Sequence, residues 1–372
     1  MEAALIEKLS IDKTNWTPVK FGDVVFEPKE TSNNPLEDGI EHVVGLEHIE
    51  TQNIHLRNSA GIEESTTFTK RFAIGDVLFG RRRAYLKKAA QASFNGICSG
   101  DITVFRAKKN LLPELLPFIV SNERFFDYAI KHSAGGLSPR VKFKDLANYE
   151  FLLPPKDQQA QLAELLWAMD EVIEREKEVL ENTKTLRKSQ LKETYKVLPK
   201  KGNSSRIQLN KLIKLSSGKP RPQKLSEQPS NDYVFPVYGG NGIIGYSNEF
   251  LVNYKTIILG RVGEYCGVVH DSEGKAWISD NALYIKEFLS DLDILFLSRF
   301  LEFIDLNKQQ NKSSHPLITQ SKVGENLIPV LSNPLTKIQN QKLLEIERVI
   351  FNMQSKISSS QTFQKSLINQ IF

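Results

Sequence analysis

QQAQLAELLWAMDEVIEREKEVLENTKTLRKSQLKETY, residues 158–195, places Leu162, Leu165, Leu166, Met169, Val172, Ile173, Val179, Leu180 and Leu186 at spacings of 3 and 4. That rhythm lines them up as one apolar stripe on a helix. Pro154-Pro155 stands just before the stretch and Pro199 just after it, and neither can lie inside a helix. Roughly 40 helical residues remain, about 60 Å in length. Residues 335–372 repeat the rhythm with Leu343, Ile346, Ile350, Met353, Ile357, Phe363, Leu367 and Ile371. A stripe on so long a helix needs a covering surface. The nearest is the other copy in the same chain, paired antiparallel about a pseudo-twofold axis; two separate core helices or a homodimeric coiled coil would also cover it.

The two stretches belong to a tandem duplication. At an offset of 177, Val172-Ile173 matches Val349-Ile350, Leu180 matches Ile357, Thr185 matches Thr362, and Lys188-Ser189 matches Lys365-Ser366. Further back, Phe79-Gly80-Arg81 matches Leu259-Gly260-Arg261, and Ser99-Gly100-Asp101 matches Ser279-Asp280-Asn281, both at an offset of 180. The order is globular unit, long helix, globular unit, long helix. Strands are expected after Gly75, at Ile102–Phe105, Val234–Tyr238, Thr256–Leu259 and Ala282–Ile285, and helices at Leu111–Ile130 and Leu292–Leu306. The loops Ser133–Pro139 and Ser216–Pro222 are rich in Gly, Pro and Ser and read as exposed.

The 372 residues suit two or three domains, and 40% hydrophobic with 25% charged residues is ordinary for a globular chain. No apolar run reaches the roughly 18 residues of a membrane helix. MEAALIEKLSIDK does not read as a signal peptide. Two cysteines, Cys98 and Cys266, make no disulfide framework or zinc site, which fits a reducing cytoplasm. The net charge of +5 is mild, but residues 1–70 carry 6 Lys/Arg against 13 Asp/Glu, whereas residues 71–144 carry 14 against 5. The dense points are Arg81-Arg82-Arg83, Lys87-Lys88, Lys108-Lys109 and the alternation Arg140/Lys142/Lys144, which on an extended segment would align three cations on one side. Such a face suits a phosphate backbone.

Enzyme signatures fail in turn. Gly240-Asn-Gly242-Ile-Ile-Gly245 matches a dinucleotide fingerprint, but a strand-like run follows it where a helix is needed, so it reads as a structural turn. Cys266 and His270 lack a third group. There is no Walker A pattern and no Asn-Pro-Pro-Phe/Tyr methylation signature. His42, His48 and His55 have no metal spacing.

Gly75-Asp-Val-Leu-Phe-Gly-Arg-Arg-Arg-Ala-Tyr-Leu-Lys-Lys88, Ile97-Cys-Ser-Gly-Asp101, and Leu153-Pro154-Pro155 with Gln158-Gln159 form one series of motifs. Tyr238 to Gly245, Gly260-Arg261-Val-Gly263 and Trp277 to Asn281 form a second, and Trp16 to Val24 opens the chain. In these the chain resembles the DNA-specificity (S) subunit of type I restriction-modification systems. One departure is Ile328-Pro329-Val330, with a single proline where the first copy has two.

The resemblance implies an α/β (α+β) fold: two tandem globular target recognition domains separated by two long helices forming an antiparallel coiled coil, with a pseudo-twofold internal repeat. The expected domains are 1–152 (with a short N-terminal helix) and 201–330 for target recognition, and 153–200 and 331–372 for the helices. The implied partners are double-stranded DNA bearing a split asymmetric site, two methylation (M) subunits, and motor-nuclease (R) subunits, with no membrane. The chain itself would be non-catalytic, with no cofactor; S-adenosylmethionine and ATP/Mg would belong to the partner subunits. Expected DNA-facing residues are Arg81, Arg82, Arg83, Lys87, Ser138, Arg140 and Lys142 in the first unit, and Lys219, Arg221, Arg261 and Lys322 in the second. A stand-alone DNA-binding protein, or an enzyme with an unrecognised site, are the competing readings.

Overall fold

The computed structural model describes residues 11–62, 67–196, 206–311, 316–329 and 334–372. The expected short N-terminal helix lies outside them. The chain divides into two units, Met1–Val179 with Met353–Phe372, and Leu180–Asn352.

The first unit opens with β1 (Thr17–Lys20), α1 (Phe21–Val24) and β2 (Val25–Phe26). Short strands follow: β3 (His42–Val44), β4 (His55–Leu56), β5 (Ala60–Gly61), β6 (Lys70–Phe72), β7 (Val77–Gly80), β8 (Ala89–Ala92), β9 (Gly96–Cys98) and β10 (Ile102–Ala107). Then come α2 (Leu116–Ser121), α3 (Glu123–Lys131), α4 (Phe143–Leu146), β11 (Glu150–Leu153) and α5 (Lys156–Lys196). Its sheets run β2-β10-β7-β8-β4 and β5-β3-β9-β6, with β1 paired to β11.

The second unit holds β12 (Arg206–Gln208), β13 (Ile213–Ser217), β14 (Phe235–Gly239), β15 (Gly242–Ser247), β16 (Val252–Asn253), β17 (Thr256–Gly260), β18 (Val269–Ser272), β19 (Lys275–Ile278) and β20 (Ala282–Phe288). It continues with α6 (Ile294–Phe303), α7 (Gln320–Gly324), β21 (Leu327–Pro329) and α8 (Pro334–Ile371). Its sheets run β13-β20-β17-β18 and β15-β14-β19-β16, with β12 paired to β21. The strand order of the two units thus corresponds, β4 excepted. β3–β9 and β14–β19 are both parallel, and the neighbouring hairpins β7–β8 and β17–β18 are both antiparallel. β4 extends the first unit's larger sheet, and no strand among the described residues of the second corresponds to it.

Each core is closed by pieces of both long helices. In the first unit Phe21, Phe79, Phe105, Phe118 and Phe125 are fully buried, and Leu166 of α5 joins them with Leu367, Ile368 and Ile371 of α8. In the second, Leu191 and Tyr195 of α5 and Leu343 of α8 pack with Leu259, Leu283 and Leu297. The helices run antiparallel within each unit. Lys356 Nζ meets Glu176 at 2.7 Å and Gln364 donates to the Leu166 carbonyl at 3.4 Å in the first, and Arg187 donates from Nε to Glu347 at 2.8 Å in the second.

Two expectations need correction. The α5 stripe is not buried throughout: Leu166, Ile173 and Leu180 are covered, while Leu165 (44% exposed), Val172 and Val179 (both 52%) and Leu186 (56%) face outward. A helix pair covers one seam; a residue one step earlier points about 100° away. The helix expected over Leu111–Ile130 is broken at Asn122. Its backbone is extended there, its carbonyl oxygen Oδ1 accepts from Arg124 N at 2.8 Å, and its Nδ2 donates to the Ile368 carbonyl at 3.2 Å. An amide that caps one helix and docks another outweighs continuation.

Candidate nucleic-acid interface

Five of the expected residues meet at one loop of the first unit. β7 ends at Gly80, and Arg81 continues with its amide donating to the Asp101 carbonyl and its own carbonyl accepting from Val141, both at 3.0 Å. Arg82 and Arg140 face each other as a β-bridge. The carboxylate of Asp101 accepts from Arg140 Nε at 2.7 Å and from Arg82 Nη1 at 3.2 Å. Ser138 Oγ accepts from Arg82 Nη2 at 3.1 Å and Arg83 Nη2 at 3.5 Å. Burial would raise the Asp101 carboxyl, but the hydrogen bonds and charges of Arg140 and Arg82 outweigh it and hold it below the usual carboxylate range.

The other first-unit candidates are elsewhere. Lys142 is exposed and sits at the N-cap position of α4. Lys144 lies inside α4, so the alternation does not align three cations along an extended segment. Lys87 points into a cleft of about 460 Å³, where it and Lys365 share Glu123. Lys88 and Lys108 donate to the carbonyls of Leu46 and Gly22 at 2.7 and 2.6 Å. The positive balance of this stretch is therefore partly spent inside the fold.

The second unit repeats the loop. Arg261 N donates to the Asn281 carbonyl at 2.9 Å and Ile318 N to the Arg261 carbonyl at 3.0 Å, reproducing the Arg81 bonds. Gly263 N donates to the Pro316 carbonyl, as Arg83 N does to Pro139, and Val262 bridges Leu317 as Arg82 bridges Arg140. Lys219 and Arg261 flank the same turn: Lys219 pairs with Ser279, and Arg261 Nη1 donates to Ser217 Oγ at 3.4 Å. Arg221 is exposed nearby in sequence. Lys322 sits in α7 beside Glu325 at 3.4 Å. The residue that sequence reasoning passed over is Asp101, which was read only as a marker of the repeat; its replacement by Asn281 in the second copy was the available signal.

The enzyme-like motifs are structural. Gly240 and Gly242 stand at the β14–β15 turn, with Gly242 at φ 99°, and a strand follows. Cys266 is fully buried, and burial pushes its thiol up, away from a nucleophile's range. His55, Asp170 and Glu174 offer ligand atoms within 4.8 Å of one another. His55 Nε2, however, is hydrogen-bonded to Asp170 at 2.6 Å, and Glu174 already serves Arg57 and Lys177. The group reads as a clamp between β4 and α5.

Residues 13–185 match the family described as the type I restriction modification DNA specificity domain. Two curated relatives are specificity subunits of type I restriction enzymes from Escherichia coli. EcoprrI is 26% identical over 32% of this chain and 29% of its own length, and EcoDI is 28% identical over 31% and 26%. The matched segment thus spans under a third of those relatives. Among solved structures, the S subunit of a type I system from M. genitalium superposes with a TM-score of 0.60 at 16% identity, covering 98% of both chains. A chain from a structure of complex assembly and conformational transition in the type I R-M system gives 0.56 at 19%, covering 96% of both. At such identity the likeness is one of fold, and it extends over both units. Residues 13–185 thus resemble the type I restriction modification DNA specificity domain, and the chain as a whole shares its fold with type I S subunits.

Proposed function

We propose that the chain reads a bipartite, asymmetric double-stranded DNA site, one half with each unit, and directs methylation and motor-nuclease subunits to it. The observation that carries this reading is the repeated loop with altered side chains. One backbone frame carries Arg82, Arg83 and Arg140 in the first unit, and Val262, Gly263 and Leu317 in the second. Two copies of one frame with different chemistry suit two different half-sites, with phosphate contacts positioning each and base-edge contacts specifying it. Target recognition is assigned to residues 1–152 and 201–330, and spacing to 153–200 and 331–372. The outward row Leu165, Val172 and Val179 of the first unit suits docking of a methylation subunit. The chain has no catalytic role in this reading; S-adenosylmethionine, ATP and Mg act in the partners, in the cytoplasm. Among the described residues no helix is long and apolar enough to cross a membrane.

Exchanging residues 14–150 for the matching unit of a relative tests this. Methylation-motif sequencing of cells carrying the chimera with its partners should give a site changed in one half. A site changed in both halves would overturn the two-reader reading.

A further inference from the structure

The geometry points to Asp101 as a built-in stand-in for a DNA phosphate, occupying the donors of Arg82 and Arg140 and opposing phosphates that arrive without a matching site. The inference rests on the reading that this loop meets DNA.

A carboxylate that accepts from Arg140 Nε at 2.7 Å and Arg82 Nη1 at 3.2 Å presents the same charge-assisted acceptors that arginine meets on a phosphodiester. The same unit contains a scaffold version of the pair for comparison. Arg106 grips Asp76 with two bonds of 2.7 Å, and the Asp76 side chain is 2% exposed. The Asp101 cluster is open instead, with side chains 21%, 37% and 45% exposed for Asp101, Arg82 and Arg140. Exposed pairs contribute little to stability, so another reason for keeping this one is required. The duplication supplies a control. In the second unit Asn281, Val262 and Leu317 occupy these places on the same backbone frame, so carboxylate and guanidinium groups are present or absent together. On DNA, phosphate oxygens would take over the arginine donors. Asp101 would then face like charge, which weakens any complex lacking further compensating contacts.

The test is salt-dependent anisotropy of the full chain on a random-sequence 30-bp duplex. It compares wild type with Asp101→Asn, Asp101→Ser, the pair Arg82→Ala/Arg140→Ala, and that pair combined with Asp101→Asn. Asp101→Asn should bind about tenfold tighter, with a salt slope steeper by about 1, and the gain should vanish in the arginine-free background. A folded Asp101→Asn that binds as wild type or more weakly overturns the inference, as does loss of fold in both Asp101 variants, which would make the residue scaffold. If removing both arginines changes neither affinity nor slope, the DNA reading of this loop fails instead.

Discussion

Arg83 and Lys87 adopt left-handed backbone, φ 55° and 49°, where the second copy has Gly263 and Gly267 at 74° and 85°. A non-glycine residue in that region costs about 1 kcal/mol or more. The first copy therefore keeps cations at two places where glycine would be less strained; Lys87 is engaged by Glu123, whereas Arg83 is exposed beside the proposed interface. Arg83→Gly should leave the melting temperature equal to wild type or raise it by a few degrees, corresponding to about 1 kcal/mol. DNA affinity should fall for every sequence, with a salt slope smaller by about 1. A variant that melts earlier and binds normally would remove Arg83 from the interface. At this scale the sequence was partly legible: the Arg81-Arg82-Arg83 run and Arg140 do converge. Asp101 was not, because a carboxylate in a basic stretch reads as dilution until the fold places it between two guanidinium groups. Lys87, Lys88 and Lys108 mislead for the converse reason, since their ammonium groups are occupied by a carboxylate or a carbonyl that only tertiary structure supplies.

Period-3/4 spacing located both long helices to within about two residues, because a stripe that long has no other explanation. It could not divide covered positions from outward ones, since both are apolar and only the partner's position separates them. Two aspartates distinguish the classes. Ile173→Asp, in the covered seam, should cost about 3 kcal/mol or more in a melt, because it buries a charge. Val172→Asp should melt as wild type yet lose co-purification with the methylation subunit. Normal co-purification would show that the outward row is not the docking surface. The capped break at Asn122 also escaped the sequence pattern, which ran apolar on both sides of it. Beside it, Glu123 is held below the usual carboxylate range, first by the hydrogen bond from Lys365 and then by Lys87, against the opposing effect of burial. A depressed folded value gives stability that is complete above the unfolded value near 4.5 and lost as pH falls through the folded one. Melts of Glu123→Gln should therefore show a shallower decline between about pH 5 and pH 3 than wild type; parallel curves would assign the acid sensitivity elsewhere.

For the whole molecule, the duplication was legible from sparse matches because their order and offset persist. The strand pairings were not, since strands of two to seven residues leave too few alternations to fix register. In the spacing assigned to α5 and α8, four extra residues in a helix add about 6 Å, close to two base pairs of DNA. Glu176 meets Lys356 and Arg187 meets Glu347, so Glu181-Asn182 lies across from the 350–352 step. Four residues inserted at both places should keep the seam aligned and give methylation at unchanged half-sites with a longer gap. Insertion at one place alone should destroy the register and the complex. An active double insertion with its original gap would mean that the helices do not measure the site.

The first unit's core includes Leu367, Ile368 and Ile371, about 190 residues downstream of the stretch that ends at Val179. During synthesis at about 5–20 residues per second, that apolar surface stays open for roughly 10 to 40 seconds after the rest of the unit has left the ribosome. The second unit, contiguous from Leu180 to Asn352, can close first. Vectorial synthesis thus imposes a maturation order opposite to the order of the genetic message. A nascent chain stalled in between would expose an unfinished hydrophobic face, a natural substrate for chaperones and proteases.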